Sequence, residues 1–274
     1  MELVVFDLDG TLLNRESAIS GYTRETLQLL SHAGIAYTVA TGRTLHGARD
    51  LLEGHGFLLP QAFKNGVVIY NPDLGRYSHR HLLTQEEIRH VLEAFIGQSI
   101  TPFLFTIEPG ERHAVYHAPL QTRAEERLAD MFRGDRDLPV LPLSKLPADA
   151  DIANVSALGP ERGIRAVVDA VADEPGLVAY MGTAIEDRDL CWVDIHHHAG
   201  TKGDAVSCLK QELGLERVIC FGDSDNDLSM FAAADEAYAP SNAKPEVLAA
   251  ASAVIGHHDE DGIARFLRER FALG

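Results

Sequence analysis

The chain has 274 residues, 46% of them hydrophobic and 24% charged, which is enough apolar material for one large folded domain or two smaller ones. A formal net charge of −17 with no basic stripe speaks against a nucleic-acid partner, and an anionic substrate would need positive charge supplied locally. Three cysteines (Cys191, Cys208 and Cys220) with no C-x-x-C pair argue against a disulfide framework or zinc ribbon and fit a reducing, cytoplasmic setting, while neither a bilayer-spanning run nor a basic leader before the first strand is found, so no membrane anchor and no signal peptide are expected.

Residues 2–7 read as a buried strand that ends abruptly in Asp7 and Asp9, followed by Gly10 and Thr11. Helical apolar spacing over 22–33 stops at Gly34, a good helix end. "IAYTVATGR" (35–43) is a second apolar strand, and 44–56 reads as the next helix. This β-α-β-α rhythm predicts a parallel sheet with covering helices. "AFKNGVVIY" (62–70) reads as strand, Asn-Gly turn and strand.

The rhythm changes near residue 81. Helical patterns at 84–97, 121–134 and 161–173 alternate with strand-like segments. The segments are two strands in 100–118 around a Pro-Gly turn, then 151–159, 176–182 and 189–196. Proline-rich 137–147 reads as a surface crossing. Paired strands in this order predict an α+β module with a mostly antiparallel sheet. From residue 200 the alternation returns: helix 202–213, strand 217–223, then helix, strand, helix. The parse is a parallel α/β core from 1–80 and 190–274, with a smaller module at 81–189 inserted.

Ligands in open parallel sheets bind at the carboxyl ends of the strands. Three expected strand ends carry suitable residues: Asp7-Leu8-Asp9-Gly10-Thr11, Thr41-Gly42-Arg43 and Gly222-Asp223-Ser224-Asp225-Asn226-Asp227. Asp7, Asp9, Asp223 and Asp227 in one small volume would repel one another, and a hard divalent cation such as Mg²⁺ removes that conflict. Beside a bound phosphate, one carboxylate can attack phosphorus while a second protonates the leaving oxygen and then activates water. An extended strand would put Asp7 and Asp9 on one side, whereas a turn at Gly10 would swing Asp9 toward the leaving group. Thr41 offers a hydroxyl, Gly42 allows close backbone approach, and the helix from Thr44 presents N–H groups to an anion. Lys202, in the glycine-flanked "AGTKGDA", is one of only five lysines and can neutralise phosphate charge.

Taken singly, these residues have ordinary readings. Thr41 alone is a strand-end hydroxyl, and Lys202 alone is a solvent-facing lysine. Arg43 suits a substrate ligand or an exposed helix start, and Asn65 suits the site or a plain turn. His196, His197 and His198 alternate across an extended segment and so do not converge on one ion. Asp259, Glu260 and Asp261 read as a solvated helix-start cluster, and the cysteines as buried apolar residues. "DSDND" lacks the glycine and terminal glutamate of an EF-hand loop, since Leu228 and Ala234 stand there.

"VVFDLDGTLLN", "VATGR", "GTKGDA" and "GDSDNDLSM" together resemble, in order and spacing, the four motifs of the haloacid dehalogenase-like (HAD) hydrolases. The insert looks like the C2B cap of the Cof-type phosphatase subfamily, and "KNGVVI" and "SNAKPEV" are similar to Cof-type features. The resemblance covers essentially the whole chain. It implies a Rossmann-like parallel-sheet core with an inserted α+β cap that closes over it and contributes substrate contacts. It implies Asp7 as nucleophile and Asp9 as general acid/base, with Thr41 and Lys202 on the phosphate. Gly10, Gly42, Arg43, Asn65 and Asn226 complete the expected phosphate and substrate set. Mg²⁺ would be held by Asp7, the backbone carbonyl of Asp9 and Asp223, with Asp227 in support. Ser224 departs mildly from the more common glycine.

Asp9 sets the chain apart from true dehalogenases, which need no proton donor there. Leu8 and the missing membrane spans set it apart from P-type pumps. The expectation is a cytoplasmic, Mg²⁺-dependent phosphatase acting on small phosphorylated metabolites, sugar phosphates foremost, through an aspartyl-phosphate, as a monomer or homodimer. The alternatives are a phosphomutase of the same superfamily and a non-catalytic phosphometabolite-binding protein.

Overall fold

The computed structural model describes residues 2–134, 138–184 and 187–274. The chain begins with β1 (Glu2–Phe6), α1 (Gly21–His32), β2 (Ala36–Val39), α2 (Leu45–Leu52), β3 (Gln61–Phe63), β4 (Val68–Asn71) and β5 (Arg76–Arg80). It continues with α3 (Gln85–Gly97), β6 (Phe103–Glu108), β7 (Arg112–His117), α4 (Arg123–Gly134), β8 (Val140–Pro142), β9 (Asp151–Pro160), α5 (Glu161–Val171), β10 (Leu177–Thr183) and β11 (Leu190–His197). It ends with α6 (Lys202–Glu212), β12 (Arg217–Phe221), α7 (Leu228–Ala233), β13 (Glu236–Pro240), α8 (Pro245–Ala250), β14 (Ala253–Ile255) and α9 (Gly262–Arg270).

These elements form two compact units, one from residues 1–79 and 201–274 and one from 80–200. The second boundary falls at 200 rather than the expected 189. The reason is β11, which pairs antiparallel with both β9 and β10 and so belongs to the inserted unit's sheet.

The two-segment unit is built on a five-stranded sheet in the order β14-β13-β12-β1-β2, with every pairing parallel. β1 lies between β12 and β2, which explains its unbroken apolar run: Leu3, Val4, Val5 and Phe6 have no solvent exposure. One core cluster joins Leu3 and Val5 to Val206, Leu209, Val218, Cys220 and Met230. Phe6 stacks on Phe221, with ring centroids 5.5 Å apart. α1 starts at Ser20, whose side chain accepts the Thr23 N–H. Asp261 is not the solvated residue expected: it accepts hydrogen bonds from Ser20 and Thr23, and Asp259 takes the Arg15 N–H at 2.6 Å and Nε at 2.8 Å. Beyond β13 the unit continues through a helix, a short strand and a final helix, one strand–helix pair more than the pattern suggested.

The inserted unit carries a six-stranded sheet, β10-β11-β9-β6-β7-β8, antiparallel except for the β7–β8 pair. α3 opens with a reciprocal capping box between Thr84 and Glu87. Val91, Phe95, Val155, Ile164 and Val167 fill its main core. Part of the proline-rich crossing is β8, an edge strand, where Pro142 costs no ladder bond on its outer side. Asp137, at the start of that crossing, lies outside the described residues. No helix among the described residues is long and apolar enough to cross a membrane.

Candidate active site

Register brings the strand ends together. Phe6 is paired with Phe221 on one side and Val39 on the other, so Asp7, Ala40 and Gly222 follow at one level. The Asp7 N–H continues the ladder to the Phe221 carbonyl at 2.9 Å. Beyond Asp7 the chain makes one wide turn. The Leu12 N–H donates to the Asp7 carbonyl at 3.3 Å and the Leu13 N–H to the Leu8 carbonyl at 2.9 Å. Gly10 sits in this turn at φ +76°, and a Cβ there would stand 2.6 Å from Asp223 Oδ2. The turn therefore separates the two aspartates. Asp7 stays buried, while the Asp9 side chain keeps 54% of its surface exposed.

The Asp7, Asp223 and Asp227 carboxylates each bring an oxygen within 4.8 Å of the other two. Lys202 is the counter-ion. Fully buried at the first position of α6, its Nζ donates to Asp7 Oδ1 and to Asp227 Oδ1, both at 2.6 Å. Burial alone would lower the Lys202 pKa, but the Asp227 and Asp7 carboxylates outweigh it and hold the ammonium above its ordinary value. Burial raises Asp7 well above the usual carboxylate range, and Asp227 and Asp223 add to it against Lys202. Burial and Asp227 push Asp223 up to about 6. Three carboxylates thus face one ammonium, an unbalanced arrangement that a divalent cation would relieve. An all-oxygen donor set fits a hard cation. Asp227 is also committed structurally: its Oδ2 accepts the Asp223 N–H at 2.8 Å and the Ser224 N–H at 2.9 Å. Serine at 224 belongs to this cap and does not disturb the cluster.

Asp9 faces a different partner. Arg43 Nε donates to Asp9 Oδ2 at 2.7 Å and Nη2 to Oδ1 at 2.6 Å. Thr41 is buried, and its hydroxyl accepts the Arg43 N–H at 3.2 Å. Thr44 caps α2 by accepting the Gly47 N–H. The turn after β3 is pinned to this segment: the Asn65 N–H donates to the Thr41 carbonyl and the Lys64 N–H to the Arg43 carbonyl, both at 2.9 Å. Asn65 is buried at φ +60° and takes the Asn226 Nδ2 hydrogen bond at 2.8 Å. A Cβ on Gly42 would lie 3.1 Å from Asn65 Oδ1. The Thr41, Asn65 and Asn226 segments are therefore one connected group, while the Asp9 side chain stands outside the carboxylate cluster.

Four supporting residues escape a reading of the motifs alone. Thr11 Oγ1 donates to Asp223 Oδ1 at 3.1 Å, and Asn242 Nδ2 holds the Gly10 carbonyl at 2.8 Å. The Lys244 N–H donates to the Asp223 carbonyl at 3.0 Å. Gly66, at φ +105°, lies so close to the start of α6 that a Cβ would fall 2.2 Å from the Thr201 carbonyl. Gly66, Asn242 and Lys244 lie inside the noted stretches "KNGVVI" and "SNAKPEV", but nothing in their types said what they touch.

A parallel sheet whose adjacent strand ends gather aspartates, a lysine and a glycine turn defines a class of hydrolases. The sequence profile of the haloacid dehalogenase-like hydrolases matches residues 4–267, and the chain belongs to that family. It is 27% identical over 282 residues to the 5-amino-6-(5-phospho-D-ribitylamino)uracil phosphatase YwtE of Bacillus subtilis, covering 97% of each chain. It is 22% identical over 275 residues to the pyridoxal phosphate phosphatase YbhA of Escherichia coli, again covering 97% of each. Among solved structures, the HAD subclass IIB sugar phosphatase BT4131 shares its fold, with a TM-score of 0.79 at 20% identity over the full length of both chains.

Proposed function

We propose that this protein is a Mg²⁺-dependent phosphatase that hydrolyses small phosphorylated metabolites, sugar phosphates foremost, through an aspartyl-phosphate on Asp7. The observation that carries the reading is the buried Asp7, paired to Lys202 at 2.6 Å, with the half-exposed Asp9 side chain two residues away. Relatives named as phosphatases support the reaction class.

Asp7, Asp223 and Asp227 would hold the cation, with the Asp9 carbonyl as a further ligand; when bound, it neutralises phosphoryl charge. An Asp7 carboxylate oxygen attacks phosphorus, the phosphorus–ester oxygen bond breaks, and Asp9 gives its proton to the departing oxygen. Asp9 then takes a proton from water, the hydroxyl attacks phosphorus, and Asp7 is released with inorganic phosphate. Lys202 spends two of its three N–H donors on Asp7 and Asp227, and the third serves a phosphoryl oxygen. Thr41, Gly42, Asn65 and Asn226 line the phosphate side with Gly10, and Arg43 sets Asp9.

The test is a screen of phosphorylated metabolites for Mg²⁺-dependent phosphate release, with Asp7→Asn as control. Phosphate release lost in Asp7→Asn supports the mechanism. Full activity in Asp7→Asn sinks it, an isomerised sugar phosphate without phosphate release points to a mutase, and binding without turnover across the panel points to a non-catalytic binder.

A further inference from the structure

A second group of metal-type ligands lies in the two-segment unit, on residues that the phosphoryl chemistry does not use. His79, near the end of β5, meets Cys208 and Glu212, which stand four residues apart on one face of α6. His79 Nε2 and Cys208 Sγ are 3.0 Å apart, and His79 Nδ1 lies 4.0 Å from a Glu212 carboxylate oxygen. One ligand atom from each of the three falls within 4.8 Å of the other two.

We propose that His79, Cys208 and Glu212 form a binding site for a borderline-soft divalent cation of the zinc type. The donor set is the argument. One nitrogen, one sulfur and one carboxylate oxygen suit Zn²⁺ and its neighbours, whereas the all-oxygen cluster at Asp7 suits a hard ion. Metal bonds of about 2.0–2.1 Å to nitrogen and about 2.3 Å to sulfur at a tetrahedral angle put the two ligand atoms about 3.5 Å apart. The pair therefore opens by only about half an ångström to admit the ion, and water takes the fourth position. Cys208 packs against the core, so the adjustment falls on His79 and Glu212, whose side chains are more open to solvent.

Burial and the neighbouring Glu212 raise the Cys208 thiol above its ordinary value, so an ion has to displace a proton that the site holds when empty. Binding displaces the thiol proton to solvent and leaves Cys208 as thiolate ligand. The other two cysteines are fully packed: Cys191 and Cys220 are buried, and Cys208 alone departs from the expectation of buried apolar thiols. The ion ties β5 to α6, the helix that begins with Lys202.

Cobalt provides a direct test, because thiolate-bound Co²⁺ absorbs in the near ultraviolet and carboxylate-bound Co²⁺ does not. Co²⁺ titrated into the whole protein is expected to give this band at one equivalent per chain, unchanged in Asp223→Asn, lost in Cys208→Ser and weakened in His79→Ala. Zn²⁺ is expected to bleach it and to slow alkylation of Cys208 in the unmodified chain by about tenfold or more, read by mass spectrometry of the labelled thiols. Absence of the band in the unmodified protein, its survival in Cys208→Ser, or alkylation of Cys208 indifferent to Zn²⁺ overturns the proposal.

Discussion

Arg43 grips both carboxylate oxygens of Asp9 through Nε and Nη2, at 2.7 and 2.6 Å. A planar fork of this kind fixes direction as well as charge, which lysine cannot reproduce. Asp9 lies in a turn rather than a strand, so its side chain is half exposed, and the Arg43 fork is what orients it. Arg43→Ala and Arg43→Lys are therefore both expected to lower kcat/KM by about tenfold, against about a hundredfold or more for Asp9→Asn, which removes the proton donor itself. Steady-state kinetics on a hydrolysed ester, with circular dichroism to confirm folding, makes the comparison. An Arg43→Lys enzyme equal to the unmodified one would mean that the fork has no positioning role.

Lys202 carries the opposite burden. It is a fully buried ammonium between Asp7 and Asp227. Removing one partner of a buried ion pair leaves the other charges unpaired, at a cost of about 3–5 kcal/mol. Lys202→Met keeps the apolar stem and loses the charge, and is expected to destabilise the metal-free protein by that amount in a denaturant titration. Added Mg²⁺ should recover part of the loss, since it balances the same carboxylates. A Met variant as stable as the parent would show that the three carboxylates are not held as ions.

Gly10 links the turn to the carboxylate cluster. Any side chain there meets Asp223 at 2.6 Å and also inherits a left-handed backbone costing about 1–2 kcal/mol. A ligand present at about a hundred times its Kd adds about 2.7 kcal/mol to a folded state. The parent protein is expected to gain thermal stability with Mg²⁺ and to lose it with a chelator, while Gly10→Ala gains much less because Asp223 is displaced. Paired melting curves decide it, and an equal gain in both proteins would contradict the geometry.

The sequence showed the core readily for a physical reason: strand segments buried on both faces are apolar, as β1 is from Leu3 and β12 from Val218 onward. Asp7, Thr41 and Asp223 were legible as candidates because they stand within two residues of strand ends, where register largely settles their neighbourhood. What escaped reading depends on partners distant in the chain. Asn242 reaches Gly10 across 232 residues, and Thr11 reaches Asp223 across 212. The ambiguity over Asp9 had a local origin instead: whether it shares a side with Asp7 depends on a turn closed by the carbonyls of Asp7 and Leu8. Asp261 looked like a solvated acid for want of any sign that Ser20 would come to meet it. The boundary after β11 was invisible too, since a strand carries no local mark of the sheet it will join.

Glu236, at the start of β13, gathers three cationic or hydroxyl donors: Tyr238 OH at 2.5 Å, Arg270 Nη2 at 3.2 Å and the Arg217 guanidinium. The Tyr238 hydrogen bond first, then Arg270 and Arg217, hold its carboxyl below the ordinary value of 4.5 against the effect of burial. A carboxylate whose pKa is depressed on folding stabilises the native state above its unfolded pKa, and that contribution disappears as pH falls through the lower, folded value. The protein should therefore lose stability from about pH 4.5 downward in part through this residue. Glu236→Gln is expected to be less stable than the parent at neutral pH, by a margin that narrows as the pH drops below that point. Because the site is close to solvent, the margin should also shrink in high salt. Denaturant midpoints for both proteins over a pH series read the margin directly, and a difference that stays constant from neutral to acid pH would place its source in packing rather than in the carboxylate charge.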